Sequence, residues 1–188
     1  MKFNLTKKEQ LQTSTWGGGT TTQLAIFPKE AVYKNLDFSC RISTATIDVE
    51  ESTFTSLPNV NRVIMILKGE LTIQHKNQYA KKIKKFDTDN FSGNWETTSI
   101  GKVTDFNVMT RGSAKAAMQG FSLKEDSHKE ILLNSDVMAI YISVGEISIE
   151  KLNLSQGDIL LIEKENNTEN VLILAKQLSE VAIAYINF

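Results

Sequence analysis

Cysteine occurs once in the 188 residues, at Cys40. No internal disulfide can form, and a reducing compartment is expected. Histidine occurs twice, at His75 and His128. Neither has a second histidine or a carboxylate at metal-ligand spacing, so both are expected at the surface, with no metal and no cofactor. No apolar run approaches the ~18 residues needed to span a bilayer. The opening stretch Met1–Glu9 lacks the apolar core of a signal peptide, so a cytoplasmic protein with no membrane partner is expected. Charge of one sign is also missing: the formal net charge is −1. Nucleic acid is therefore not expected as a partner, and the cluster Lys81, Lys82, Lys84 and Lys85 reads as a solvated strand rim. No G-x-S-x-G elbow occurs, and no catalytic residue is assigned.

What is present is strand pattern. The stretch Ile64–Ile73 joins an apolar run to an alternating run through Gly69-Glu70 and reads as a β-hairpin. The same pattern returns 76 residues later in Ala139–Ile149, around Gly145-Glu146. One such unit cannot bury its own apolar face, so the repetition predicts two copies of one β-module. Residues 1–111 are read as the first module and 112–188 as the second, packed as one compact unit. Gly112–Met118, after Arg111, reads as a short helix or linker between the halves. Strands are expected near Phe121–Leu123, Glu130–Leu133, Val137–Ser143, Glu146–Leu152, Val171–Leu174 and Val181–Ile186, with a Gly-Asp turn inside Leu154–Ile162. Phe86–Trp95, dense in turn formers, reads as a loop pinned by its aromatics. The fold class is all-β, a double jelly roll with few short helices.

Two strands carry polar residues on otherwise well-patterned faces. In Phe38–Ala45, Phe38, Cys40, Ile42 and Thr44 share one face and Ser39, Arg41, Ser43 and Ala45 the other. Cys40 therefore reads as a small buried thiol rather than a nucleophile. In Thr104–Arg111, Asp105, Asn107 and Met109 project together. That polar face meets either solvent or an enclosed pocket, and pattern alone does not choose. Arg62 stands at the mouth of the strand Val63–Leu67, and Trp16, the loop Gly17–Gly19 and Phe91 are available as walls. An arginine fork binds carboxylates, and Asp or Asn orients an amide or ammonium. The set suits a small polar anion such as an acylated amino acid. A buried Arg–Asp pair that only fixes strand register is the plain alternative.

At these residues the chain resembles the HutD/Ves family, through Trp16–Thr21, Phe38–Ala45, Phe54–Pro58 with Arg62, Phe91–Gly93 and Asp105–Arg111. The turn in Leu154–Ile162 is similar to the Gly-Asp turn of many cupins. The resemblance implies two fused cupin-like modules that lack the usual cupin metal histidines. It also implies a regulatory or accessory role in histidine utilisation or stress response, with formylglutamate as a ligand. The expected ligand-binding residues are Arg41, Arg62, Asp105, Asn107, Trp16, Thr21 and Phe91, and the expected partner is a small carboxylate-bearing metabolite. Open strand edges also leave room for a homodimer. Two alternatives stand beside this: a metal-independent hydrolase or isomerase with Asp105 as general base, and a protein-interaction module.

Overall fold

The structure, a computed structural model, describes residues 1–165 and 169–188. In chain order it begins with β1 (Lys2–Thr6), β2 (Gln12–Trp16), β3 (Gly19–Phe27), β4 (Cys40–Ile47) and β5 (Glu51–Thr53). There follow β6 (Asn61–Lys68), β7 (Glu70–His75), β8 (Tyr79–Lys84), β9 (Thr88–Ser92), β10 (Thr97–Ile100) and β11 (Val103–Thr110). The remainder comprises β12 (Lys115–Leu123), β13 (His128–Leu133), β14 (Val137–Val144) and β15 (Glu146–Ile149), then β16 (Leu152–Ser155), β17 (Ile159–Glu163), β18 (Glu169–Ala175) and β19 (Ser179–Asn187). The all-β expectation holds.

The chain divides into two compact units: Gln12–Lys115, and Met1–Leu11 together with Ala116–Phe188. The boundary differs from the sequence reading because β1 adds to the edge strand β17 of the later unit. Phe3 pairs with Ile162 and Leu5 with Leu160, and both side chains pack on that unit's core. The Gly-Asp turn fastens the arm. Asp158 accepts from Lys7 Nζ at 2.7 Å, Lys8 N at 3.0 Å and Ser155 N at 2.9 Å. Burial favours the neutral acid there, yet these donors hold its pKa below the ordinary value.

In the Gln12–Lys115 unit a six-stranded sheet, ordered β2-β3-β4-β11-β6-β9, faces a four-stranded one, ordered β5-β10-β7-β8. Ile64 and Ile66 of the first sheet and Leu71, Ile73 and Ile83 of the second join in one core. Gly69 therefore does not turn a hairpin. It is the corner at which the chain leaves one sheet for the other, with φ +87°, and a Cβ there would stand 2.5 Å from the Lys102 carbonyl oxygen. Gly145, with φ +86°, makes the same corner between β14 and β15, which lie in sheets ordered β1-β17-β14-β19-β12 and β13-β18-β15-β16. A corner and a hairpin leave the same alternating pattern, so periodicity did not separate them.

Three more expectations are corrected. Gly112–Met118 is not a helix: Gly112 and Ser113 form a turn next to the division between the units, in line with the linker alternative, and from Lys115 the chain is the edge strand β12, where sheet pairing overrides the helical preference of its alanines. Glu146–Leu152 is two strands, because Glu150 takes φ +52° and the chain reverses into β16. Phe86–Trp95 contains β9, whose Asp89 and Phe91 point inward.

His75 is a further correction, since it is buried rather than exposed, whereas His128 is exposed as expected. Its Nδ1 lies 2.8 Å from Thr97 Oγ1 and its Nε2 2.9 Å from Asp89 Oδ2, and Tyr79 donates to Asp89 Oδ1 at 3.0 Å. Every polar atom of the ring is thus satisfied, which makes the burial tolerable. The rings of Phe91 at 4.5 Å and Tyr79 at 4.7 Å pack on it.

Candidate functional site

Three neighbouring strands of the six-stranded sheet form the floor of a cavity of about 320 Å³. Antiparallel register sets the floor in rows across β4, β11 and β6: Arg41–Met109–Arg62, then Ser43–Asn107–Ile64, then Ala45–Asp105–Ile66. Rows lie about 7 Å apart along a strand, and the outer strands about 10 Å apart. The two guanidiniums therefore flank one end, the carboxamide of Asn107 occupies the middle, and the carboxyl of Asp105 the far end. Thr21 continues the last row on β3, and Ser14, Trp16, Tyr33 and Phe54 contribute to the walls.

All four central polar residues are buried: Arg41 is 7% exposed, Arg62 8%, Asp105 5% and Asn107 6%. Each guanidinium lies against an aromatic face, Arg41 at 4.1 Å from the Tyr33 ring centre and Arg62 at 4.7 Å from that of Phe54. Arg41 donates from Nε to Gln23 at 2.9 Å. Arg62 Nε and Asn107 Oδ1 have no hydrogen-bond partner among the described residues. Buried polar atoms are rarely left so, and these two belong to side chains that line one cavity.

The electrostatics follow from burial. Arg62 is depressed to about 10, chiefly by desolvation, with Asp105 opposing the shift and Arg41 adding to it. It remains a cation at neutral pH. Asp105 is raised to about 7, again chiefly by burial, and Arg62 offsets part of that rise. Cys40, on the opposite face of β4, is buried and pushed up to about 12, in keeping with a packed thiol.

The structure thus brings Arg41, Arg62, Asp105, Asn107, Trp16 and Thr21 together around one cavity. Phe91 does not line it; its ring lies behind Arg62, 5.4 Å from the guanidinium carbon. Sequence reasoning missed Tyr33, Phe54 and Gln23 as supports of the arginines. Tyr33 sits in a short 3₁₀ turn, Tyr33–Asn35, where no periodicity marks an inward side chain. Ser43 and Met109 were legible, since each shares a strand face with Arg41 or Asp105.

The HutD family profile matches residues 8–181. The chain belongs to the HutD family. No curated protein sequence matches it significantly. The fold is similar to that of PA5104, a conserved protein of unknown function from Pseudomonas aeruginosa PAO1, with TM-score 0.84, 17% identity and 100% of each chain covered. HutD from Pseudomonas fluorescens SBW25, in a formate condition, gives TM-score 0.80 at 16% identity over 99% of this chain and 98% of that one. The Escherichia coli pirin YhhW, in complex with nickel(II), gives 0.71 at 12% identity over 98% of each chain. At these identities the likeness is one of fold, which is cupin-like.

Among the described residues, the donors of this HutD-family chain do not fit a metal of the kind that the pirin binds. No group of three or more His, Cys, Asp or Glu side chains that could hold an ion occurs among the described residues. Among the described residues Asp105 is the lone carboxylate lining the cavity, and two guanidiniums there would repel a divalent cation.

The internal repeat supplies a comparison within the chain. The 76-residue offset that superposes Gly69 on Gly145 carries Arg62 to Met138, Ile64 to Ile140 and Ile66 to Ile142. Across the sheet, Met138 pairs with Tyr185, Ile140 with Ile183 and Ile142 with Val181. Asn107 and Asp105 thus correspond to Ile183 and Val181, fully buried in an apolar core with Met138. A more open depression of about 500 Å³ in that unit is lined by Gln119, Lys129 and Tyr185 among others, and these three polar side chains are not buried.

Proposed function

We propose that the two units are jelly rolls of a bicupin, and that the Gln12–Lys115 unit binds a small carboxylate-bearing metabolite in its polar cavity. The observation that carries this reading is the pair of buried guanidiniums facing one cavity with no carboxylate in ion-pair contact among the described residues, one of them with an unpartnered Nε. A buried cation with no ion-pair contact costs several kcal/mol, which Asp105 offsets only in part at Arg62, and an anion entering between Arg41 and Arg62 supplies the direct partner. The arginine faces are held by Tyr33 and Phe54, which leaves for a planar oxyanion the N–H groups that Arg41 does not already give to Gln23 and Ser43 and those of Arg62. Asn107 Oδ1 sits one row away and accepts from an N–H or O–H of the ligand. An N-acylated amino acid such as formylglutamate has that layout, and the family membership supports an accessory or regulatory role in histidine utilisation.

The experiment is thermal unfolding with a panel of formylglutamate, glutamate, urocanate and neutral sugars. A ligand at ~100 times its Kd adds about 2.7 kcal/mol, or roughly 5–10 °C in Tm for a chain of this size. Carboxylates are expected to give the shift, sugars none, and Arg41→Ala is expected to abolish it. Absence of a shift with every carboxylate would count against the reading.

A second reading draws on Asp105. A buried carboxyl held near neutrality suits general acid–base work. On that reading the same cavity hydrolyses or isomerises its ligand, and Asp105→Asn abolishes turnover while the ligand is still captured.

A further inference from the structure

Asp105 is the one group in the cavity whose surroundings favour neither of its charge states cleanly. Its strand neighbours in register are Ala45 and Ile66, which have no side-chain donor. Among the described residues no hydrogen bond reaches its carboxyl; the Thr44 hydroxyl, at 2.6 Å, donates to the Asp105 backbone carbonyl instead. The titratable groups that line the cavity with it are Arg62 from β6, Arg41 from β4 and Tyr33 from the 3₁₀ turn. Strands β2, β3 and β5 contribute only neutral side chains there, among them Ser14, Thr21 and Ser52. An ionised Asp105 is therefore stabilised by the field of Arg62 and by little else.

An anion docked on Arg62 claims that field and adds a second negative charge to the same enclosed space. Both effects drive a proton onto Asp105. The carboxylic acid so formed acquires the donor that a carboxylate lacks, and its O–H can be given to a ligand oxygen. We propose that the site takes up its anion together with a proton, which Asp105 holds against the ligand. The inference rests on the anion-binding reading above and adds a coupling that a plain arginine clamp would not show.

Between the free Asp105 midpoint, about 7, and the raised midpoint of the complex, linkage makes the affinity fall as pH rises, by at most about tenfold per pH unit. Near and above neutral pH binding is accompanied by net uptake of a fraction of a proton. A plain clamp gives a flat profile over pH 6–9 and no uptake.

The test titrates the full chain with formylglutamate and with glutarate by calorimetry, in two buffers of different ionisation enthalpy. It is paired with ¹³C NMR of the aspartate Cγ signals, that of Asp105 being assigned by its loss in Asp105→Asn. The expected result is net proton uptake, with the Asp105 midpoint moving upward by more than about one pH unit on saturation. Binding without uptake, or with an unmoved Asp105 midpoint, overturns the coupling and leaves the anion site standing. If neither probe binds, the anion-site reading falls and the coupling falls with it.

Discussion

Arg62→Met is the perturbation that separates a binding residue from a structural one. Holding a guanidinium at about 10 instead of 12.5 costs the folded state roughly 3 kcal/mol. Methionine at this position has a precedent inside the chain, since Met138 fills the corresponding place fully buried among Ile140, Ile142 and Ile183. The substitution removes the desolvation cost and the unpartnered Nε. It also gives up the stacking on Phe54, about 0.5–2 kcal/mol. The net expectation is a gain of about 1–3 kcal/mol, or roughly 3–10 °C in Tm, together with complete loss of carboxylate binding. Stability bought at the expense of binding is what a site strained for a ligand predicts. Urea and thermal unfolding without ligand, followed by the carboxylate panel, read both halves. A variant less stable than the wild type by more than about 1 kcal/mol would refute the reasoning, because Arg62 would then be part of the framework.

Asp105→Asn should remove a pH dependence of stability. Because the folded carboxyl is raised from 3.8 to about 7, its contribution is full below pH 3.8 and is lost as pH rises to 7, at about 1.4 kcal/mol per pH unit. Urea midpoints of wild type and variant at pH 4, 5.5 and 7 should diverge accordingly, and parallel curves would contradict it. His75→Ala, which strips Asp89 and Thr97 of their shared partner and opens a void beside Phe91, should cost about 3–4 kcal/mol by urea unfolding. Gly69→Ala and Gly145→Ala should each cost at least about 2 kcal/mol. Both take positive φ, and the added Cβ would stand 2.5 Å and 2.3 Å from a carbonyl oxygen; unchanged unfolding midpoints would contradict the shared sheet-to-sheet corner.

Alternation carried most of what was legible beforehand. Arg41 and Ser43 on one strand, and Asp105, Asn107 and Met109 on another, could be placed on common faces because a strand has period two. Sequence could not say that those faces meet, since the register that sets Met109 between Arg41 and Arg62 is long-range. The Gly69 and Gly145 corners were found as a repeat but misread as hairpins, because the choice of sheet lies outside the local pattern. His75 was misplaced for a related reason: its partners Asp89 and Thr97 come from β9 and β10, and only their convergence makes a buried imidazole acceptable. β12 was misread because its alanines favour a helix locally, while the five-stranded sheet needed an edge.

The most direct test of the carboxylate site is a titration followed at the arginine Nε–H groups by ¹⁵N NMR. The chain has three arginines, Arg41, Arg62 and Arg111, so three signals are expected, and Arg111 does not line the cavity. With formylglutamate or glutarate added, the Arg41 and Arg62 signals should shift together and saturate with one Kd, while that of Arg111 stays in place. Saturable binding that leaves the Arg41 and Arg62 signals unmoved would put the ligand elsewhere and contradict the account.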